Sequence, residues 1–222
     1  MKTQIPVILS ACRTPTGSFQ GSLRGIPAPE LGAAVIREAV KRAQIPDLNE
    51  VHEVLMGSVV SAGLGQNPAR QASVFSGLPP EVGAFTVNKV CGSGLKTVML
   101  AAQAVRAGDA DLLVAGGMES MSRAPFLIRG RSGELKFGHR ELVDALLHDG
   151  LWDPFEDWGM GNAAEFIAEE YDISREEMDT YAFRSHKKAL QAIDQGKFEA
   201  EIVPIEVRDR KGRARVFDTD ET

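Results

Sequence analysis

Residues 87–96 read VNKVCGSGLK and place Cys91 where a predicted strand gives way to a predicted helix. The strand is indicated by the short, apolar run at 84–87, and the helix by the Leu-, Ala- and Met-rich run that follows. Gly92 and Gly94 allow the backbone to turn sharply and to approach a ligand closely. A thiol at a helix N-terminus lies at the positive end of the helix dipole, which favours the thiolate. The stretch therefore predicts an activated nucleophile on a strand-to-helix turn.

The first half of the chain alternates predicted strands with predicted helices. Such alternation favours an α/β fold, with a largely parallel, mixed sheet covered by helices on both faces. The first strand, 5–10, is expected to be buried. The predicted strands are 5–10, 54–60, 85–90 and 111–117, and the helices between them are 31–43, 68–76 and 95–105.

The pattern changes after residue 121, and the sequence predicts two domains. Residues 1–121 form an α/β core that carries the nucleophile, and residues 122–222 form most of a helical and irregular loop domain. Ser174 and Glu177 have the spacing of a capping box at the start of a long helix. The elements predicted here are helices at 162–170 and 174–195 and strands at 202–207 and 215–217.

Composition excludes several classes of function. The net charge of −6 argues against a general nucleic-acid binder, which usually carries a basic face. No apolar run approaches the roughly 20 residues that a membrane span needs. Cys12 and Cys91 have no metal-ligand spacing and form no disulfide framework, and Cys12 is interpreted as structural. We therefore expect a soluble, cytoplasmic protein without a metal site.

Six short motifs follow one another along the chain: 11–17 (ACRTPTG), 66–71 (QNPARQ), 88–95 (NKVCGSGL), 116–122 (GGMESMS), 160–165 (MGNAAE) and 201–205 (EIVPI). Together, and in this order, they resemble the N-terminal half of the thiolases, the acetyl-CoA acetyltransferase and 3-ketoacyl-CoA thiolase family. The likeness covers essentially the whole chain but only about half of a typical thiolase.

The resemblance implies a reaction and its substrates. Thiolases move an acyl group between coenzyme A thioesters through a covalent cysteine intermediate, and Cys91 stands at the position of that cysteine. The implied reaction is the reversible condensation or thiolysis that links acetyl-CoA to acetoacetyl-CoA or a longer 3-ketoacyl-CoA. Coenzyme A thioesters are then substrates, and neither a prosthetic group nor a metal is implied.

Family position also gives supporting roles to neighbouring residues. Asn88, Gly92, Ser93 and Gly94 are expected to support the nucleophile loop, and the backbone N–H of Cys91 or Gly92 is expected to bind the oxyanion.

By the same resemblance, Met160 and Gly161 are expected to contact the acyl group and pantetheine. Many acetoacetyl-specific thiolases have a histidine just before this methionine, whereas this chain has Gly159, which leaves the acyl chain length open.

Two catalytic residues of the family have no counterpart in this sequence. Thiolases draw a base from a histidine in a Gly-His-Pro context and use a second cysteine in a Cys-x-Gly-Gly context. The four histidines stand in other contexts, and no such cysteine follows Cys91. The sequence therefore predicts that this chain alone is catalytically incomplete and needs the C-terminal half in cis or in trans. The resemblance implies that the completed protein is a homodimer or a tetramer. Residues 123–140 are then an oligomerisation loop, and a simple surface loop is the alternative.

Three further interpretations stay open. A non-catalytic, thiolase-like subunit would bind acyl-CoA or assemble with another chain without being acylated. A condensing enzyme of the ketoacyl synthase type would share the cysteine at a strand-to-helix turn. The basic run 208–215 could attract CoA phosphates, although a solvated turn is favoured because charge runs usually face water.

Overall fold

The computed structural model describes residues 4–128, 130, 137–208 and 212–221. By their contacts the residues form two compact units. Met1–Ala124 and Glu201–Glu221 belong to the first, and Pro125–Ala200 belongs to the second.

A parallel sheet lies at the centre of the first unit. Its strands are β1 (Glu53–Gly57), β2 (Gly83–Val87) and β3 (Leu113–Gly117), in the order β2-β1-β3. All of β1 pairs in parallel with both neighbours, so that Gly57 lies opposite Val87 on one side and Gly117 on the other. Four of its five residues are buried, as expected for a central strand with helices on both faces. The α/β prediction is confirmed.

Helices cover the two faces of this sheet. α1 (Ala28–Arg42) and α2 (Pro68–Ser76) share a core with Val54 and Met56 of β1. Gly57 alternates with Met56 along the strand and therefore lies on the other face, where it meets α3 (Ser93–Ala107). The carboxyl end of β1 thus lies beside the first turn of α3.

The buried strand predicted at 5–10 is wrong. The segment is not assigned to a strand, and its apolar side chains are exposed, with Ile5 at 83% and Ile8 at 79%. It lies along α1, where the Ser10 hydroxyl donates to the Ala39 carbonyl at 2.7 Å. A strand forms only beside a partner, and none of the described residues supplies one to 5–10.

Residues 201–221, which the sequence assigned to the second domain, lie in the first unit. They contain the antiparallel pair β8 (Ile205–Arg208) and β9 (Ala214–Phe217). Ile205, Val207 and Phe217 are buried against Leu23 and Leu31, and this small core explains why the unit continues beyond residue 200. The two-domain prediction at residue 121 itself stays a prediction.

The second unit is built from short strands and two helices. The longer helix, α5 (Arg175–Asp194), begins with the predicted capping box, in which the Ser174 hydroxyl and the Glu177 carboxylate each bind the other residue's backbone N–H. Its elements are β4 (Phe126–Leu127), β5 (Val143–Asp144), a π-helical turn (Leu146–Leu151), β6 (Trp152–Asp153), β7 (Trp158–Gly159), α4 (Met160–Glu170) and α5 (Arg175–Asp194).

Two segments singled out in the sequence lie only partly within the described residues. The predicted oligomerisation loop lacks residues 129 and 131–136 there, and the basic run lacks residues 209–211. Across the part of the chain that the structure describes, no helix is both long and apolar enough to cross a bilayer.

Candidate active site

Cys91 lies on the connection between β2 and α3 and is exposed to solvent. Gly92 caps the helix, and its carbonyl accepts the Lys96 N–H at 2.9 Å. The connection is closed by two turn bonds, in which the N–H groups of Gly92 and Ser93 donate to the carbonyls of Lys89 and Val90, each at 3.1 Å. The turn therefore presents the thiol directly before the cap residue Gly92, two residues ahead of the first residue of the helix.

Val90, directly before the cysteine, has a left-handed backbone with φ of 47°. This region is disfavoured for a β-branched residue and persists only when its surroundings hold it. About half of the Val90 side chain is exposed, at 52%, so packing alone does not explain the conformation. Sequence analysis missed this feature, because valine carries no local signal for a left-handed turn.

Asn88 and Ser93 hold Val90 in this conformation. The Val90 N–H donates to Asn88 Oδ1 at 3.0 Å. The Ser93 hydroxyl accepts the Lys89 N–H at 2.8 Å and donates to the Val90 carbonyl at 2.6 Å. Both peptide groups of Val90 are thus bound by side chains that the sequence selected as support, although a catalytic role for them stays a proposal.

The charge around Cys91 is positive. α3 is 15 residues long, and no acidic residue lies in its first turn. Lys89 and Lys96 flank the cysteine in sequence, and the peptide dipoles of the helix point their positive end towards it. The arrangement suits attack by Cys91 on an electrophilic carbonyl.

Glu119, just beyond the end of β3, is a second feature that sequence analysis missed. Its half-buried carboxylate accepts the backbone N–H of Val59 at 2.8 Å and of Val60 at 3.3 Å. Burial raises the pKa of Glu119 above its ordinary value, while the two N–H donors act in the opposite direction. Glu119 thereby ties the loop after β1 to the end of β3. In the sequence, Glu119 stands out only as one residue of the 116–122 motif.

Met160 and Gly161 open α4 in the second unit, directly after the cap Gly159. Met160 is partly exposed, and a Cβ placed on Gly161 would meet nothing within 4 Å. Trp158 and Phe166 pack beside this helix start with ring centroids 5.6 Å apart. Contact of Met160 and Gly161 with an acyl group stays a proposal.

Cys12 agrees with its structural interpretation. It is half-buried, its thiol donates to the Val35 carbonyl at 3.3 Å, and burial raises its pKa. Among the described residues, no three His, Cys, Asp or Glu side chains are grouped so that they could hold a metal ion. The expectation that no metal takes part stays a prediction.

Residues 6–222 match the family described as "Thiolase, N-terminal domain". The chain belongs to the thiolase family. The match covers the nucleophile turn, the glycine-rich end of β3 and the start of α4, so all six motifs lie within it.

Relatives of this thiolase chain agree with the family match. It is 55% identical to the acetyl-CoA acetyltransferase of Pseudomonas aeruginosa over 97% of its own length, and 53% identical to that of Cupriavidus necator. Its structure superposes on the crystal structure of the Bacillus anthracis acetyl-CoA acetyltransferase with a TM-score of 0.93 and 37% identity, covering 99% of this chain. The chain spans about half the length of these proteins, namely 54% of each of the first two and 55% of the third.

Proposed function

We propose that this chain is the nucleophile-carrying half of a thiolase-type acyltransferase whose substrates are acyl-CoA thioesters. The observation that carries the proposal is the exposed Cys91 on a strained turn directly before a 15-residue helix. The relatives named above are acetyl-CoA acetyltransferases, which supports a thioester substrate.

The proposed reaction has two steps and exchanges one nucleophile for another. The Cys91 thiolate attacks the thioester carbonyl, a Cys91 sulfur–carbon bond forms, and the bond to the CoA sulfur breaks. CoA leaves as the thiolate and takes a proton. In the condensation direction, a second acetyl-CoA loses an α-proton to the base of the C-terminal half, its carbanion attacks the acyl carbon, and the bond to the Cys91 sulfur breaks to regenerate the thiolate. Thiolysis is the reverse: the Cys91 thiolate attacks the 3-keto carbon of a 3-ketoacyl-CoA, the C2–C3 bond breaks, acetyl-CoA leaves as the carbanion and takes a proton, and a CoA thiolate then removes the acyl group from Cys91.

The backbone N–H of Cys91 is the better of the two oxyanion donors that the sequence suggested. The Gly92 N–H already donates to the Lys89 carbonyl within the turn. A donor that must first break a bond stabilises the developing charge less than a preorganised one.

We propose that activity requires a C-terminal half of the kind that the relatives carry. An apolar groove of about 820 Å³ supports this, since it lies between the segment 5–14 and the residues of β3. The exposed Ile5, Val7 and Ile8 line it, and burying such side chains contributes about 1.5–3 kcal/mol each. Added chain that covers this groove would stabilise the first unit and bring the histidine base and second cysteine of the family.

The test is acylation of Cys91, read by mass. The chain, joined to the C-terminal half of the Pseudomonas aeruginosa relative, is incubated with acetyl-CoA and digested. An increase of about 42 Da on the Cys91 peptide is expected. Cys91→Ser should remove the adduct, and Cys12→Ser, the matched control at the other cysteine, should keep it. An unmodified Cys91 in a folded protein, or an unchanged rate of acyl transfer in Cys91→Ser, would refute the proposal.

The same experiment separates the proposal from a non-catalytic subunit. Such a subunit would bind acyl-CoA without an adduct, and Cys91→Ser would bind equally well. A condensing enzyme of the ketoacyl synthase type would also be acylated on its cysteine, so that alternative is opposed by the family match and not by the adduct.

We further propose that the completed enzyme is a cytoplasmic homodimer or tetramer. Exposed apolar side chains of the first unit support self-association, among them Phe75 of α2 and Leu95 and Met99 of α3. Sedimentation equilibrium of the joined protein tests this, since a monomer at micromolar concentration would contradict it.

A further inference from the structure

Two glycines, at the ends of β1 and β3, form the surface on which the first turn of α3 rests. Gly57 and Gly117 are partners in the parallel pairing of these strands. A Cβ placed on Gly57 would lie 2.7 Å from Gly94 N and from the Ser93 carbonyl carbon. One placed on Gly117 would lie 3.3 Å from Gly94 Cα. Neither glycine has a positive φ, so both are needed for room and not for an unusual backbone.

Thr97 fastens the helix to this surface one turn later. Its side chain is fully buried, and its hydroxyl lies 2.7 Å from the Gly94 carbonyl and 2.9 Å from the Gly116 carbonyl. The single hydroxyl proton is shared between an acceptor on the helix and one on β3. The position of α3 along the sheet is therefore fixed by steric contact at its first turn and by a hydrogen bond at the next.

Ser93 transmits this position to the nucleophile turn. Its peptide rests on Gly57, while its hydroxyl holds the Lys89 N–H and the Val90 carbonyl on either side of the strained residue. A shift of the Ser93 peptide must therefore move the turn that carries Cys91.

We propose that Gly57, Gly117 and Thr97 are positioning residues for Cys91. They touch no substrate in this inference, and they act by setting the distance of the thiol from the reacting carbonyl. The inference rests on the proposed function, in which Cys91 is the nucleophile. It adds that the end of the central strand must be free of side chains for that function.

The chain offers a graded series of single-methyl substitutions. Gly57→Ala brings a methyl against backbone atoms that cannot yield cheaply, and Gly117→Ala makes a milder contact. Gly116→Ala is the matched control. It lies next to Gly117 on the same strand, but its added methyl would meet the flexible Met56 sulfur at 3.3 Å on the sheet face away from α3.

The first experiment uses the 222-residue chain and measures the rate profile for alkylation of Cys91 across iodoacetamide concentration, read by mass on the Cys91 peptide. In Gly57→Ala the profile should depart from that of the wild type, because the added methyl displaces the Ser93 peptide and with it the turn that presents the thiol. Gly116→Ala should keep the wild-type profile, and Gly117→Ala should lie between the two. Thermal unfolding of each variant shows that it is folded. A wild-type profile in folded Gly57→Ala would overturn the proposal.

The second experiment measures single-turnover acetylation in the chain joined to the C-terminal half. A displaced nucleophile lowers the chemical rate more than substrate binding, so Gly57→Ala should lose about 100-fold in kcat while KM stays within about twofold. Thr97→Val preserves side-chain volume and should likewise lower kcat while leaving KM nearly unchanged. This second variant keeps the test decisive if Gly57→Ala does not fold. A positioning role would be contradicted if both variants lost kcat and substrate affinity by equal factors, or if both variants kept the wild-type values.

Cys91→Ser separates this inference from the proposed function. If Cys91→Ser transfers acyl groups like the wild type, Cys91 is not the nucleophile and the proposed function fails. If Cys91→Ser is inactive while folded Gly57→Ala and Thr97→Val behave like the wild type, only the positioning inference fails.

Discussion

Arg13 and Asp220 are 207 residues apart in sequence and form a two-bonded ion pair. Arg13 Nη1 donates to Asp220 Oδ1 at 2.6 Å and Nη2 donates to Oδ2 at 2.9 Å. Asp220 Oδ1 also accepts the Thr16 N–H at 2.7 Å, and Arg13 Nε reaches Glu201 at 2.6 Å. Bidentate contacts of this kind combine charge with fixed geometry. The last described residues are therefore part of the first unit.

We expect Asp220→Asn to lower the free energy of unfolding at neutral pH by about 1–3 kcal/mol. The Arg13 guanidinium holds the pKa of Asp220 below its ordinary value. A lowered folded pKa means that the stabilisation is present above the unfolded pKa and is lost as pH falls through the folded pKa. Urea unfolding at several pH values should therefore show the difference between Asp220→Asn and wild type shrinking on acidification.

Asp218→Asn is the control, because the Asp218 carboxylate accepts the hydroxyl of its neighbour Thr219 at 3.2 Å, an exposed contact within the tail itself. Its stability should stay close to wild type across the same pH range. A pH-independent loss in Asp220→Asn would contradict the ion-pair explanation.

Glu119 should show the opposite dependence on pH. Burial raises its folded pKa, so its contribution to stability is complete below the unfolded pKa and is lost as pH rises through the folded pKa. Glu119→Gln cannot ionise, and its amide oxygen can still accept from Val59. Relative to wild type, the variant should gain stability from acidic to neutral pH in the same urea series. A difference that moves in the direction seen for Asp220→Asn would refute this assignment.

The elements that the sequence predicted best carry their signals locally. α2 was predicted at 68–76 and is found there, because Pro68 opens the helix and Gly77 closes it with a φ of 95°. The capping box of α5 was likewise confirmed, since Ser174 and Glu177 are only three residues apart. Cys91 was placed correctly at a strand-to-helix turn for the same reason.

What the sequence could not give depends on distant partners. The segment 5–10 has the composition of a buried strand, but burial requires a neighbour that its own residues do not specify. The contact between Gly57 and the Ser93–Gly94 peptide joins residues from two elements, and no local pattern encodes it. Asp220 and Glu221 likewise accept hydrogen bonds from the distant loop after Arg13, a contact that their local sequence does not encode.

The left-handed backbone of Val90 predicts different stabilities for two substitutions at this position, Val90→Asn and Val90→Ala. Asparagine tolerates the left-handed backbone better than other residues with a Cβ, whereas alanine does not. Both Val90→Asn and Val90→Ala remove the same half-exposed methyl groups. We therefore expect Val90→Asn to be more stable than Val90→Ala by about 1 kcal/mol in urea unfolding. Equal stabilities would mean that the turn relaxes once valine is removed.

The last prediction compares Ser93 and Ser73, two buried serines on helices, because only the Ser93 hydroxyl has hydrogen-bond partners among the described residues. The Ser93 hydroxyl has two partners in the nucleophile turn, whereas Ser73 Oγ on α2 has none within the described residues. Removing the Ser93 hydroxyl leaves the Lys89 N–H without its acceptor, so Ser93→Ala should lower the free energy of unfolding by about 1–3 kcal/mol. Ser73→Ala removes an unsatisfied hydroxyl and should leave stability unchanged or higher.

Activity separates the two serines further. Ser93→Ala frees Val90 to leave its strained conformation, so acetylation of Cys91 in the joined protein should slow even at temperatures where the variant is fully folded. Ser73→Ala should acetylate at the wild-type rate. If both variants lost stability equally and kept the wild-type rate, the Ser93 hydroxyl would be only a core contact, and the backbone bonds from the Gly92 and Ser93 N–H groups would be sufficient to hold the turn.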